Sequence, residues 1–130
     1  MVVDTSALIA ILLDEPEGAA FASAIDADSE PKVSAVTRVE AMMVYLGRRS
    51  GEPGAIVDLI DILGLKTMDV DRAQSDCALD AFVRFGKGRH PARLNFGDCF
   101  AYALAASLNE PLLFKGDDLL KTDIVPAWRP

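Results

Sequence analysis

The stretch Met1-Val2-Val3-Asp4-Thr5-Ser6-Ala7-Leu8-Ile9-Ala10-Ile11-Leu12-Leu13 decides how the rest of the chain is read. Its opening residues are apolar, too few for a helix, and stopped by an acid. The run that follows is apolar and helical in pattern, with Ser6 placed to cap it. A short strand that hands its chain directly to a helix is the opening of a β-α-β unit. The same alternation recurs downstream. Pro16 opens a second helix carrying Phe21, Ala24 and Ile25, and Lys32 to Ser34 reads as a second strand. A third helix starts near Thr37 with Val39, Met42, Met43 and Leu46 as its expected buried stripe, and Gly51-Glu52-Pro53 stops it. Ala55 to Leu63 is a fourth helix and Lys66 to Val70 a third strand. Asp71 caps a helix whose expected inner face is Ala78, Leu79, Phe82 and Val83. Asn95 caps the next helix, through Ala106. Leu112 to Phe114 and Ile124-Val125 supply the last extended runs. Such alternation predicts an α/β domain with a parallel sheet covered by helices on both faces.

Composition agrees. The chain has 130 residues, 51% hydrophobic and 25% charged, the balance of one globular domain spanning residues 1–130. The longest unbroken apolar run, Ala7 to Leu13, is far short of the roughly 20 residues that cross a bilayer. No basic region precedes Asp4 as a secretory signal would require, so the expectation is an intracellular, cytoplasmic protein. Cys77 and Cys99 lack zinc-ligand spacing and read as small core residues. Twenty acids against 13 bases give a net charge of −7, which argues against loose electrostatic binding along a nucleic acid. It leaves open a nuclease whose acids gather around cations, because bound metal reverses the local field.

In a parallel α/β sheet, ligands collect beyond the carboxyl ends of the strands. Asp4 closes the first strand, Glu40 and Asp98 fall in the first turns of helices, and Asp117 and Asp118 follow the fourth strand. All should share one rim, as a pocket of four or five carboxylates with no cation of the protein's own. Each has a plainer reading as well. Thr37 with Glu40 is spaced as a capping box and Asn95 with Asp98 nearly so, and Asp117-Asp118 after Gly116 suits a turn. Asp4 is harder to explain structurally, since an acid ending a central strand costs stability without compensation. Clustered carboxylates repel, and a divalent cation neutralises them; an all-oxygen set suits Mg²⁺ or Mn²⁺ over Zn²⁺. Such ions support phosphodiester hydrolysis. The single histidine, His90, allows no serine or cysteine triad to compete.

Four motifs, Asp4-Thr5-Ser6-Ala7-Leu8, Arg38-Val39-Glu40-Ala41, Leu94-Asn95-Phe96-Gly97-Asp98-Cys99 and Leu112-Leu113-Phe114-Lys115-Gly116-Asp117-Asp118, closely resemble the PIN-domain ribonucleases, and more narrowly the VapC toxins. The resemblance covers essentially the whole chain, in order. It implies a three-layer α/β/α domain with a parallel five-stranded sheet, and a Mg²⁺- or Mn²⁺-dependent endoribonuclease held inactive by a cognate antitoxin protein. It also implies homodimers. Carried over, Asp4 and Asp98 would ligate the metal, Glu40 would complete the site directly or through water, and Ser6 would orient Asp4 or a metal-bound water by hydrogen bonding. Asp117 is preferred as fourth acid, with Asp118 supporting the turn, although Leu119 stands where the family commonly has an aromatic residue.

The chain's one cationic cluster, Lys87, Arg89, His90 and Arg93, lies in a glycine- and proline-bearing loop just before Asp98 and is a candidate RNA path; its plainer reading is a solvated loop. Arg48 and Arg49 form a second candidate patch. Leu8, Leu12, Phe21, Met42, Met43 and Tyr45 are core candidates whose surplus could receive an antitoxin helix or a second copy. Two other classes compete: a phosphoacceptor signalling domain using Asp69 or Asp71 with Lys115, which leaves Glu40 and Asp98 idle, and a catalytically dead binding module, against which the intact acidic set speaks.

Overall fold

A computed structural model describes residues 1–48 and 51–129; Arg49 of the second patch lies outside the described residues. Strands β1 (Val2–Val3), β2 (Lys32–Ser34), β3 (Lys66–Met68) and β4 (Leu112–Leu113) form one parallel sheet in the order β3-β2-β1-β4. The connections carry helices α1 (Thr5–Leu12), α2 (Gly18–Asp26), α3 (Ala35–Arg48), α4 (Ala55–Ile62), α5 (Arg72–Phe85) and α6 (Phe96–Leu108). The expected fifth strand shrinks to one bridge. Leu112 pairs with Pro126 through Leu112 N–H to the Val125 carbonyl at 2.9 Å and Ala127 N–H to the Leu112 carbonyl at 2.8 Å. Only the groups flanking Pro126 reach β4, so the pairing stays a single bridge.

The three-layer architecture follows from strand periodicity. Adjacent residues of a strand point to opposite faces. Val2 and Leu112 accordingly pack with Leu94, Tyr102 and Leu104 under α5 and α6. Val3 and Leu113 pack with Leu8, Phe21, Ile25, Val33, Ile56 and Ile60 under α1, α2 and α4. No helix among the described residues is long and apolar enough to cross a membrane.

Helix faces depart from the sequence reading in two places. On α3 the buried residues are Thr37 and Ala41, whereas Val39 (60% exposed), Met43 (68%) and Leu46 stand at the surface. On α5, Ala78 and Ala81 are buried while Leu79 (66%), Phe82 and Val83 are exposed. Helices packed closely against neighbours select small residues at the contact, so the larger apolar side chains face outward. Three helix starts also differ, and α2 begins at Gly18, two residues after Pro16. Asp4, not Ser6, caps α1, and α3 begins at Ala35, directly after β2, which puts Thr37 inside the helix and removes the Thr37–Glu40 capping box. Asp71 and Asn95 cap α5 and α6 as expected.

Candidate active site at the carboxyl rim

Because every strand runs the same way, β1, β2 and β4 all deliver their carboxyl ends to one rim. There a cleft of about 470 Å³ is lined by Asp4, Ser6, Glu40 and Asp98, together with Thr5, Glu15, Arg48, Asn95 and Lys115. The sheet carries Asp4, the first turns of α3 carry Glu40, and the first turn of α6 carries Asp98.

Asp4 is 3% exposed. Its Oδ2 accepts hydrogen bonds from Ser6 N–H (2.9 Å) and Ser6 Oγ–H (2.6 Å), and Ser6 Oγ in turn accepts from Lys115 N–H at 2.9 Å. Ser6 therefore ties the end of β4 to the acid that ends β1. Asp4 Oδ1 is buried and has no hydrogen-bond partner among the described residues. Burial pushes the Asp4 carboxyl above the usual carboxylate range, against the pull of the Ser6 bonds.

Asp98 realises the full capping box: Asn95 Oδ1 accepts from Asp98 N–H at 2.9 Å and Asp98 Oδ2 accepts from Asn95 N–H at 2.8 Å. The structural and functional readings of this acid are compatible, since one oxygen holds the cap and the other is left over. Burial, with the like charges of Asp4, Glu40 and Asp118, pushes Asp98 up to about 6. Glu40 crosses to another element: its Oε2 accepts from Thr5 Oγ–H at 2.6 Å. Burial, and then the Asp4 charge, raises its pKa. Three acids that each resist ionisation on one rim form a site that a hard cation would relieve. As they stand, no three Asp, Glu, His or Cys side chains among the described residues close on a common point. The orphaned Asp4 oxygen and the all-oxygen donor set nevertheless fit a Mg²⁺-type ion.

Other sequence-derived candidates lie elsewhere. Asp117 and Asp118 are exposed and do not line the cleft; Asp118, which pairs with Lys121 at 3.6 Å, is the one whose charge reaches Asp98. Lys87, Arg89 and Arg93 are exposed, His90 is partly so with its ring edge-on to Phe85, and none of the four lines the cleft. The pocket is not free of cations, contrary to expectation. Lys115 and Arg48 line it, engaged with Glu15 at 2.7 and 3.3 Å, and Lys115 also reaches Glu17 at 2.8 Å. The rival phosphoacceptor pair finds no site: Asp71 is occupied capping α5, and neither it nor Asp69 lines the cleft. The sequence reading did not single out Thr5 or Gly97. A Cβ at Gly97 would overlap the Glu40 carboxylate. A glycine at the second position of a well-capped helix is the one signal that could have flagged it.

Fold and rim define an α/β/α domain with a carboxylate-lined pocket at the carboxyl edge of its sheet, and residues 1–125 match the family model of the PIN domain. The chain belongs to the PIN-domain family. It is 43% identical over 132 residues to Ribonuclease VapC30 of Mycobacterium tuberculosis, covering 100% of both chains. It is 44% identical over 126 residues to Ribonuclease VapC of Mycolicibacterium smegmatis, covering 95% of this chain and 97% of that one. Its fold matches the crystal structure of Mycobacterium tuberculosis VapC20, described as a Sarcin-Ricin loop cleaving toxin, with a TM-score of 0.74 at 20% identity, covering 99% and 98% of the two chains.

Proposed function

We propose that the protein is a Mg²⁺- or Mn²⁺-dependent endoribonuclease, the toxin of a toxin–antitoxin pair, acting on cytoplasmic RNA. The observation that carries the metal assignment is the buried, partnerless Asp4 Oδ1 on a rim shared with Glu40 and Asp98. Those three acids hold the ion. For the fourth acid the reading moves from Asp117 to Asp118, whose charge bears on Asp98. When bound, the ion supplies the charge that lets the carboxylates ionise and that stabilises the phosphate under attack by water. Ser6 orients Asp4 through its two hydrogen bonds.

The substrate path combines the cleft cations Arg48 and Lys115 with the loop residues Lys87, Arg89, His90 and Arg93, which contact phosphates. The VapC relatives favour an antitoxin protein as regulator. The exposed apolar residues Leu79, Phe82 and Phe96, which with Cys99 and Phe100 line a groove of about 410 Å³ between α5 and α6, favour a second copy of the chain as the other partner.

The test is cleavage of RNA by antitoxin-free protein with Mg²⁺ or Mn²⁺, beside an Asp4→Asn/Asp98→Asn double variant. Activity should fall by about 100-fold or more in the variant. Equal cleavage by both proteins would eliminate this mechanism.

A further inference from the structure

Glu40 is in an unusual position for an acid in the first turns of a helix. It makes no capping contact within α3, because the helix starts earlier than its sequence suggests. A free glutamate side chain has three rotatable bonds, and holding it in one place costs conformational entropy that some contact must offset. Two contacts from other elements do so. Thr5, the first residue of α1 and only 7% exposed, donates its hydroxyl to Glu40 Oε2 at 2.6 Å. From the opposite element, Gly97 in the first turn of α6 leaves so little room that any β-carbon there would occupy the space of the carboxylate itself.

We infer that Thr5 and Gly97 form a socket that positions the Glu40 carboxylate toward the metal pocket, Thr5 as a hydrogen-bond donor and Gly97 by the absence of a side chain. The two residues flank the other two acids: Thr5 follows Asp4, and Gly97 precedes Asp98. The socket thereby sets the position of Glu40 relative to both. Thr5 is a positioning residue acting through Glu40. The inference rests on the metal site of the proposed function and extends it.

The experiment is calorimetric titration of the whole chain with Mn²⁺, beside thermal unfolding of each variant. Thr5→Val keeps the shape and removes the donor, and should weaken Mn²⁺ binding by about 10-fold, within the range for residues that orient a metal ligand. Thr5→Ser restores the hydroxyl and should bind within about 3-fold of the parent. Gly97→Ala should weaken binding to a similar extent with little change in unfolding temperature, since what it displaces is the far end of a flexible side chain. On a Glu40→Ala background, neither Thr5→Val nor Gly97→Ala should weaken Mn²⁺ binding further. Unchanged binding in Thr5→Val and Gly97→Ala, or equal losses with and without Glu40, would overturn the socket while leaving the metal site standing. A parent protein that takes up no Mn²⁺ would overturn both.

Discussion

At the level of single residues, the site is held together by groups that would be more stable elsewhere. Asp98 illustrates the sign. Its pKa is raised from 3.8 to about 6, so the folded protein binds this proton more tightly than the unfolded chain does. The associated stability is fully present below about pH 4 and is lost as pH climbs toward 6. A shift of this size corresponds to a ceiling of roughly 3 kcal/mol, which partial solvent access reduces to about 1–2 kcal/mol. Asp98→Asn cannot ionise, yet its carbonyl can still accept from Asn95 N–H. In chelator-treated protein the variant should be about 1–2 kcal/mol more stable than the parent at pH 7, with the difference vanishing near pH 4. Urea unfolding at the two pH values checks this, and a variant less stable at pH 7 would contradict it. Asp4 stood out in the sequence because an acid closing a central strand costs stability without compensation; its role as the cap of α1 offsets only part of that, since Oδ1 is left without a partner among the described residues. Thr5 was not legible, because nothing in the sequence shows that a hydroxyl 35 positions from Glu40 will meet it.

Among the elements, α6 carries the heaviest duty, since Asp98, which closes its capping box with Asn95, is also an acid of the cleft. Asn95→Ala removes the acceptor for Asp98 N–H and should cost about 1 kcal/mol of stability in thermal or urea unfolding. It should also loosen Asp98 and weaken Mn²⁺ binding, whereas Asn95→Ser, which keeps a capping oxygen, should retain both. Unaltered stability and metal affinity in Asn95→Ala would show the cap to be idle. The succession of strands and helices and the α5 and α6 caps were readable from local chemistry alone, whereas the order of the strands in the sheet, set by long-range pairing, was not. The inner faces of α3 and α5 were not. Val39, Met43 and Leu46 fall at helical spacing and satisfy a hydropathy rule, but close packing against neighbours placed Thr37 and Ala41 inside. Periodicity identifies an apolar stripe without saying whether the protein's own core or another molecule covers it. The expected fifth strand is reduced to the two bonds that flank Pro126.

For the whole molecule, the parallel sheet explains why acids 36 and 58 positions apart in the chain share a cleft: each β-α crossover returns the backbone to the same rim. The protein is acidic overall, and the cations that line the cleft are engaged by Glu15 and Glu17. Under the proposed function, an anionic substrate would depend on a cation bound among the acids to offset their charge. The most direct measurement is the anomalous scattering of Mn²⁺ in crystals of the protein grown with that ion. The account predicts a single strong peak with oxygens of Asp4, Glu40 and Asp98 in its coordination sphere or one water away, and its loss in Asp4→Asn/Asp98→Asn. A peak remote from these three side chains, or one that persists undiminished in the double variant, would contradict it.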